Sequence, residues 1–346
     1  MFADHSTSAR LLVRRGELSQ LQLERPCADA PSALQPGQAR LRIVRFALTA
    51  NNITYAAFGE TMRYWQFFPA PEGWGCIPVW GFATVIESRA DGVAVGARLD
   101  GYLPMATHLV VQPVGVKSDG FTDGAAHRQA LPPIYNRYAR TAAATAEAEG
   151  VRAVLRPLFT TAFLIDDFVA AQDAFGASTL LLSSASSKTA FATAFCLTQR
   201  PGRRNRIVGL TSTANAGFAG SLGCYDDVLD YAGWRTEVAS DTPALYIDFS
   251  DDAPLRRQIH EHFGAALRYS CSVGGTHWQA LGSGAGLPGP EPELFFAPTH
   301  AQRLGAPAAR GLWPQRPARG PHAGAVGPAQ VPQRRADSAK TKRRKP

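Results

Sequence analysis

Cysteine is scarce in this sequence and is never paired. Five cysteines are scattered through 346 residues, and no two of them stand in a CxxC motif. An odd number without paired spacing argues against a disulfide framework and against a zinc ribbon. We therefore expect a reduced protein of the cytoplasm.

Long apolar runs are also missing. No stretch reaches the roughly 18 consecutive apolar residues that a membrane-spanning helix needs, so we expect no membrane partner. The first residues show neither a basic nor an apolar signal region, which predicts that there is no signal peptide. Hydrophobic residues nevertheless make up 45% of the chain and charged residues 18%. This composition suits a large core, and the length allows about two domains.

Residues 1–300 lack a net positive charge. The whole sequence has 36 Lys and Arg against 28 Asp and Glu, a net charge of +8. Residues 301–346 hold eleven of those basic residues and one acid, which leaves residues 1–300 with a net charge of −2. Nucleic-acid binding is therefore not expected except through the basic tail. The tail is rich in Pro, Gly and Ala, and we predict that it is disordered.

The first part of the chain is predicted to be rich in β-structure. Runs of Val, Leu and Ile between turn residues predict strands at 10–14, 39–47, 78–87, 98–102 and 108–112. Residues 139–153 have few large apolar side chains and are interpreted as a connector, with a helix as the open alternative. Residues 157–175 have the apolar spacing of an amphipathic helix.

From residue 179 onwards the pattern alternates between strand and helix. Strands are predicted at 179–183, 206–211, 227–230, 244–249 and 267–273, with helices at 187–199, 214–222 and 254–263. This alternation predicts an α/β fold with a doubly wound parallel sheet. Ligands of such sheets bind at the carboxyl ends of the strands.

The first strand–helix junction of this sheet is a candidate phosphate-binding loop. Ser184, Ser186 and Ser187 are small enough for a dinucleotide to approach the backbone, and the next helix would offer N–H groups that are free at its start. Lys188 adds a cation and Thr189 a hydroxyl. The alternative is that the serines only cap the helix. A P-loop is not favoured, because both of its glycines are absent.

The second strand of the sheet ends without an acidic residue. NAD-binding sites usually carry an acid at this position, which binds the ribose. This sequence has Thr-Ser-Thr-Ala-Asn at residues 211–215, so Thr211 and Ser212 are candidates for ribose or phosphate contacts. The missing acid favours NADP as the cofactor.

Five segments resemble one protein superfamily. They are residues 50–55 (an early asparagine motif), 77–87 (a Pro–Gly–Val segment), 92–102 (a "G-x-x-V-G-D-R-V" turn with Ala97 for Asp), 182–190 (the glycine-loop position, with Ser184, Ser187 and Ala190 for the glycines) and 222–231 (an "L-G-A-x-x-V-I-D-Y" segment). Together they resemble the medium-chain dehydrogenase/reductase superfamily, in its zinc-free quinone-oxidoreductase-like branch. Within that branch the chain is most similar to an uncharacterised bacterial family.

The resemblance implies a domain plan. A GroES-like β-rich substrate domain would span residues 1–155 and a Rossmann-type dinucleotide-binding domain 156–280, followed by a return segment at 281–300 and the tail at 301–346. It also implies NADP in the cleft, with Tyr225 among its contacts, and transfer of a hydride to a quinone or an enone. Zinc-dependent members have Gly-His-Glu where this chain has Gly81-Phe82-Ala83. Phe and Ala cannot bind a metal, so no catalytic zinc is expected.

A zinc-free reductase of this plan needs another group that donates a proton. Tyr64 and Tyr55 are the candidates, with Asn51 or Asn52 as a polar anchor. The aromatic residues between 64 and 74 either line a pocket for a planar, apolar substrate or form the core of a long loop. His277 follows the fifth strand and is a further candidate cleft residue.

Other interpretations stay open. The chain could be a degenerate member of the fold that binds a ligand without cofactor or catalysis. The tail is either the product of a reading-frame shift or a basic arm for nucleic acid. By analogy with the superfamily, the protein could form a homodimer.

Overall fold

The computed structural model describes residues 8–25, 33–273 and 286–301. His277 and the predicted tail beyond Ala301 lie outside these ranges.

The amino-terminal part forms two antiparallel sheets. Its strands are β1 (Arg10–Arg14), β2 (Glu17–Glu24), β3 (Ala39–Ala47), β4 (Trp74–Gly75), β5 (Pro78–Ser88), β6 (Arg98–Pro104), β7 (His108–Val111), β8 (Pro113–Lys117), β9 (Gly120–Asp123) and β10 (Arg137–Arg140). Seven strands pair in the order β7-β3-β5-β6-β10-β9-β8 and three in the order β2-β1-β4. Helix α1 (Ala50–Ala57) follows β3, and helix α2 (Ala146–Ala171) follows β10. The five strands predicted for this part are all present.

The second part is a six-stranded parallel sheet. Strands β11 (Thr179–Leu182), β12 (Arg206–Thr211), β13 (Asp227–Asp230), β14 (Ala244–Asp248), β15 (Leu267–Ser272) and β16 (Glu293–Leu294) lie in the order β13-β12-β11-β14-β15-β16. Helices α3 (Lys188–Thr198), α4 (Thr213–Ser221), α5 (Trp234–Glu237) and α6 (Ala253–Phe263) connect them. The predicted doubly wound sheet is confirmed. Of the strands in this sheet, β16 alone was not predicted, because two residues are too few to show an alternation of apolar and polar side chains.

Helix α2 begins earlier than the sequence predicts. Residues 139–153, interpreted as a connector or a helix, are helical in their second half, because alanine favours a helix even where large apolar residues are few. The Thr145 hydroxyl accepts a hydrogen bond from the Ala148 N–H at 3.2 Å. Glu147 and Glu149 stand in the first turn, where the helix dipole favours negative charge. The N-cap at Thr145 and the helix propensity of alanine therefore place the start of α2 about one dozen residues before the amphipathic spacing begins at residue 157.

Helix α2 packs on both parts of the protein. Near its start, the Glu149 carboxylate accepts hydrogen bonds from Arg98 of β6 at 2.9 and 2.6 Å. Further along, Ala162 packs against Ala192 and Cys196 of α3. One helix therefore joins the antiparallel sheet to the parallel sheet.

Apolar cores lie within the first part and on both faces of the parallel sheet. Short 3₁₀ turns stand at Tyr64–Gln66, Ala126–Arg128, Pro133–Asn136, Asp173–Gly176 and Gly264–Ala266. Among the described residues, no helix is both long enough and apolar enough to cross a membrane.

Candidate cofactor and substrate site

The order of the parallel strands creates a crevice beside β11. The chain moves outward from β11 to β12 and β13, and then returns to β14 on the other side of β11. Dinucleotides bind at such a reversal, outside the carboxyl ends of the strands. Residues 183–187, which we call the serine loop, leave β11 at this point.

Ser184 has the backbone conformation that glycine usually supplies. Its φ is +49°, in the left-handed region. The Ser187 N–H donates to the Ser184 carbonyl at 2.7 Å and closes the turn. For a residue other than glycine this conformation costs about 1–2 kcal/mol. The loop thus makes a tight turn without glycine, at a cost in local stability.

Two tyrosines hold the serine loop in place. The Ser184 N–H donates to the Tyr231 hydroxyl at 3.1 Å, and the Tyr225 hydroxyl donates to the Ala185 carbonyl at 2.9 Å. A Cβ atom at Gly209 would lie only 2.8 Å from the Ala185 Cβ, so a glycine is needed beneath the loop. Tyr225 therefore supports the loop from its side. Gly209 and Tyr231 were missed, although a lone glycine within a strand signals a close approach.

The start of α3 offers free hydrogen-bond donors. Ser187 caps the helix, and its hydroxyl accepts from the Ala190 N–H at 3.4 Å, as the capping interpretation predicts. In the described part of the chain, the N–H groups of Ser186, Lys188 and Thr189 have no acceptor. The Lys188 side chain is exposed beside them. A cap and an anion site therefore coexist, and the residues present fit a pyrophosphate group.

The end of β12 contributes one buried and one accessible hydroxyl. Thr211 is buried, and its hydroxyl donates towards the Ser186 hydroxyl at 3.4 Å. Ser212 is half-buried at the start of α4, and its side chain caps no helical N–H. Ser212 is thus the better placed of the two for contact with a ribose or its phosphate.

A buried ion-pair network closes the other side of the crevice. The Ser183 hydroxyl donates to Asp248 at 3.0 Å, and Arg256 donates to Asp248 at 3.0 Å and to Asp251 at 2.6 Å. All four side chains are buried. Asp251 is buried although it stands in a turn between β14 and α6, because Arg256 compensates its charge inside the protein. The sequence did not indicate this network, since its members are distant along the chain.

A second polar site lies in the antiparallel part. The Trp80 indole N–H donates to the Tyr55 hydroxyl at 3.1 Å, and the Asn52 amide donates to the Pro78 carbonyl at 2.9 Å. These residues surround a cavity of about 10 Å³, which we call the small cavity. Its lining residues are Ala47, Thr49, Asn51, Asn52, Tyr55, Trp80, Ala153 and Pro157. The volume suits a single oxygen atom or one water molecule.

The hydroxyl groups of the two candidate tyrosines have different surroundings, although their ring centres lie only 4.8 Å apart. Tyr55 lines the small cavity, whereas the Tyr64 hydroxyl lies 3.3 Å from the Tyr135 hydroxyl within the apolar core. Burial raises the pKa of Tyr55 well above its ordinary value and also raises that of Tyr64, so both phenols are neutral at pH 7. Of the aromatic residues between 64 and 74, Tyr64, Phe67 and Phe68 are core residues.

A larger cleft lies beside the start of α2. It has a volume of about 490 Å³ and is lined by Phe82, Thr141, Ala144, Thr145, Glu147, Ala148, Glu149, Val151 and Arg152. Phe82 and Trp80 are two residues apart on β5 and therefore share a face. Arg98 and Arg152 lie 5.7 and 5.9 Å from the Phe82 ring centre. The cleft and the small cavity thus lie next to each other along β5 and α2.

No metal-binding cluster is seen in the described ranges. Within residues 8–25, 33–273 and 286–301, no group of three or more His, Cys, Asp or Glu side chains is placed to hold a metal ion.

Comparison with known proteins identifies the family and the fold. The family described as "Protein of unknown function (DUF2855)" matches residues 46–312. Functionally curated proteins give no match.

Solved structures of the same fold cover most of the chain. A protein assigned as an NADPH:quinone reductase from Mesorhizobium loti is 14% identical, with a TM-score of 0.54 over 90% of this chain and 88% of that chain. CurA from Vibrio vulnificus is 14% identical, with a TM-score of 0.53 over 90% of each chain. CurK enoyl reductase is 12% identical, with a TM-score of 0.53 over 88% of this chain and 85% of that chain. The protein belongs to the DUF2855 family and has the GroES-like and Rossmann-type fold of the medium-chain dehydrogenases/reductases.

Proposed function

We propose that this protein is a zinc-independent, NADPH-dependent reductase that acts on the carbonyl of a quinone or an enone. NADPH, when bound, supplies the hydride. The observation that carries the proposal is the serine loop, which combines a left-handed turn at Ser184 with free N–H groups at the start of α3, beside the reversal of strand order. Two of the similar structures are described as a quinone reductase and an enoyl reductase, which supports the same class of reaction.

The small cavity and the cleft would hold the substrate. A planar, apolar body would lie against Phe82 and Val151 in the cleft, with its carbonyl oxygen in the small cavity. There, Tyr55 would donate a hydrogen bond to the oxygen as negative charge develops, and Asn51 would anchor it. Phe82 and Ala83 stand where zinc enzymes carry ligands, which supports chemistry that needs no zinc.

One contact favours a second candidate function. Tyr231 already occupies the Ser184 N–H, and Ser187 is engaged in capping α3. If these bonds persist, the loop serves structure alone, and the protein is a ligand-binding member of the fold without cofactor.

Titration of the full chain with NADPH and NADH distinguishes the two. Nicotinamide fluorescence and the melting temperature would be followed together. We expect saturable binding with a preference for NADPH. Substitution Lys188→Glu should weaken binding at least tenfold, because it reverses a charge beside the phosphates. The matched control is Lys117→Glu on β8, an exposed lysine outside the crevice. A folded protein that binds neither nucleotide would support the cofactor-free function.

A further inference from the structure

The relation between Trp80 and Tyr55 determines where the Tyr55 proton points. An indole N–H can only donate, so the Tyr55 oxygen is the acceptor of the 3.1 Å bond. A phenol has a single proton, which remains available for a different acceptor. Tyr55 thus acts as a donor towards its other neighbours.

The walls of the small cavity determine which acceptors the Tyr55 proton can reach. Helix α2 contributes Ala153 and Pro157, whose side chains are apolar. Pro157 also lacks an N–H, so it offers no competing donor. The Tyr102 hydroxyl lies close to Tyr55, is fully buried and makes no hydrogen bond with the described residues. Among the described lining residues, the side-chain oxygens of Thr49 and Asn51 are the acceptors that could compete with a bound oxygen for the Tyr55 proton.

None of the described residues that line the small cavity has a charged side chain. The titratable groups around Tyr55 are three further phenols, Tyr64, Tyr102 and Tyr135, with ring centres 4.8, 5.4 and 6.4 Å away. Burial is the main cause that raises the pKa of Tyr55, and the hydrogen bond from Trp80 acts in the opposite direction. The indole N–H therefore stabilises the charge that gathers on the phenol oxygen when its proton is shared.

We propose that Trp80 is a positioning residue whose indole N–H fixes the Tyr55 hydroxyl as a donor to the carbonyl oxygen of the substrate. Trp80 acts through Tyr55, because its single N–H is already engaged by the Tyr55 oxygen. The inference rests on the proposed reductase function and adds to it the residue that orients the donor. An enone or quinone oxygen in the small cavity would accept the hydrogen bond from the Tyr55 hydroxyl.

The test uses the full chain and 2-cyclohexen-1-one as the probe. The infrared C=O stretch of the bound probe reports the hydrogen bonds to its oxygen, and steady-state reduction by NADPH reports kcat and KM. The variants are Tyr55→Phe, which keeps the ring and removes the hydroxyl, and Trp80→Phe, which keeps an aromatic ring but removes the indole N–H and reduces the size of the side chain. The matched control is Trp74→Phe, since Trp74 lines neither the cleft nor the small cavity.

In the wild type, we expect the bound probe to absorb at lower frequency than in water. Tyr55→Phe should abolish most of that shift and lower kcat roughly 100-fold. Trp80→Phe should reduce the shift and lower kcat roughly tenfold, with KM changed less than about twofold. Trp74→Phe should behave as the wild type.

The outcomes separate the two ideas. In the first outcome, the wild type binds the probe and lowers its C=O frequency, and the folded Trp80→Phe variant shows the same frequency and the same kcat. This result would overturn the role of Trp80 and leave the reductase function intact. A folded wild type that binds neither the probe nor NADPH would overturn the reductase function and, with it, this inference.

Discussion

The backbone N–H of Ser184 donates to the side-chain hydroxyl of Tyr231, 3.1 Å away and 47 residues further along the chain. This bond fixes the residue that adopts the left-handed turn, at the point where the phosphates of a dinucleotide would lie. The conformation of the loop therefore depends on a side chain that directly follows β13, at the edge of the parallel sheet.

Substitution Tyr231→Phe should loosen the serine loop. It removes the acceptor of a partly buried N–H, so we expect the free energy of unfolding to fall by about 1–2 kcal/mol. NADPH should bind several-fold more weakly, because the loop then samples other conformations. Urea unfolding and fluorescence titration measure the two effects. Tighter NADPH binding would instead show that Tyr231 blocks the site.

Substitution Ser184→Gly should stabilise the protein. Glycine adopts φ of +49° without the steric cost that serine carries, although the unfolded chain gains entropy. We expect a net gain of about 0.5–1 kcal/mol in the free energy of unfolding. Ser184→Val should lose more than that, because a β-branched residue fits a positive φ poorly. If the glycine variant were less stable than the wild type, the left-handed turn would be disproved.

Substitution Arg256→Met should be strongly destabilising. Asp248 and Asp251 are buried, and Arg256 is the cation that hydrogen-bonds to both. Removing one partner of a buried ion pair costs about 3–5 kcal/mol. The matched control is Arg257→Met, the exposed neighbour, which should change stability by less than about 0.5 kcal/mol. Equal effects of the two would contradict the network.

His260 should make stability depend on pH. Burial lowers the pKa of His260 below its ordinary value, and its ring contacts the Pro288 carbonyl and the Ser270 hydroxyl, both at 2.9 Å. Since the unfolded chain accepts the proton more readily, this contribution to stability is complete above a pH of about 6.5 and is lost as the pH falls below it. His260→Asn should flatten the slope of unfolding free energy between pH 7 and roughly pH 5. An unchanged slope would refute the assignment.

The sequence predicted the sheet better than the site. Buried strands such as Thr179–Leu182 are mostly apolar, and their carboxyl ends follow directly from the chain order. Serine at positions 184, 186 and 187 indicated small size and capping, but it could not show that Ser184 takes a positive φ. That conformation results from tertiary contacts, including the bond to Tyr231.

Long-range polar pairs account for most of what was missed. Trp80 and Tyr55 are 25 residues apart, and Ser183 and Asp248 are 65 apart. Nothing in local spacing indicates that such pairs meet. Choosing between Tyr55 and Tyr64 depended on which of them reaches a cavity, and that depends on how α1 and α2 pack.

The shared helix limits how the two halves of the protein can move. The first turns of α2 are tied to the antiparallel sheet through Glu149, and its later turns are packed on α3 through Ala162. Because both ends of α2 are fixed by these contacts, the helix cannot serve as a flexible linker between the two parts. Pro157 lies between these two contacts and has no N–H, so one backbone hydrogen bond of the helix is missing there. A rotation of one part relative to the other would therefore bend α2 at Pro157, which lines the small cavity.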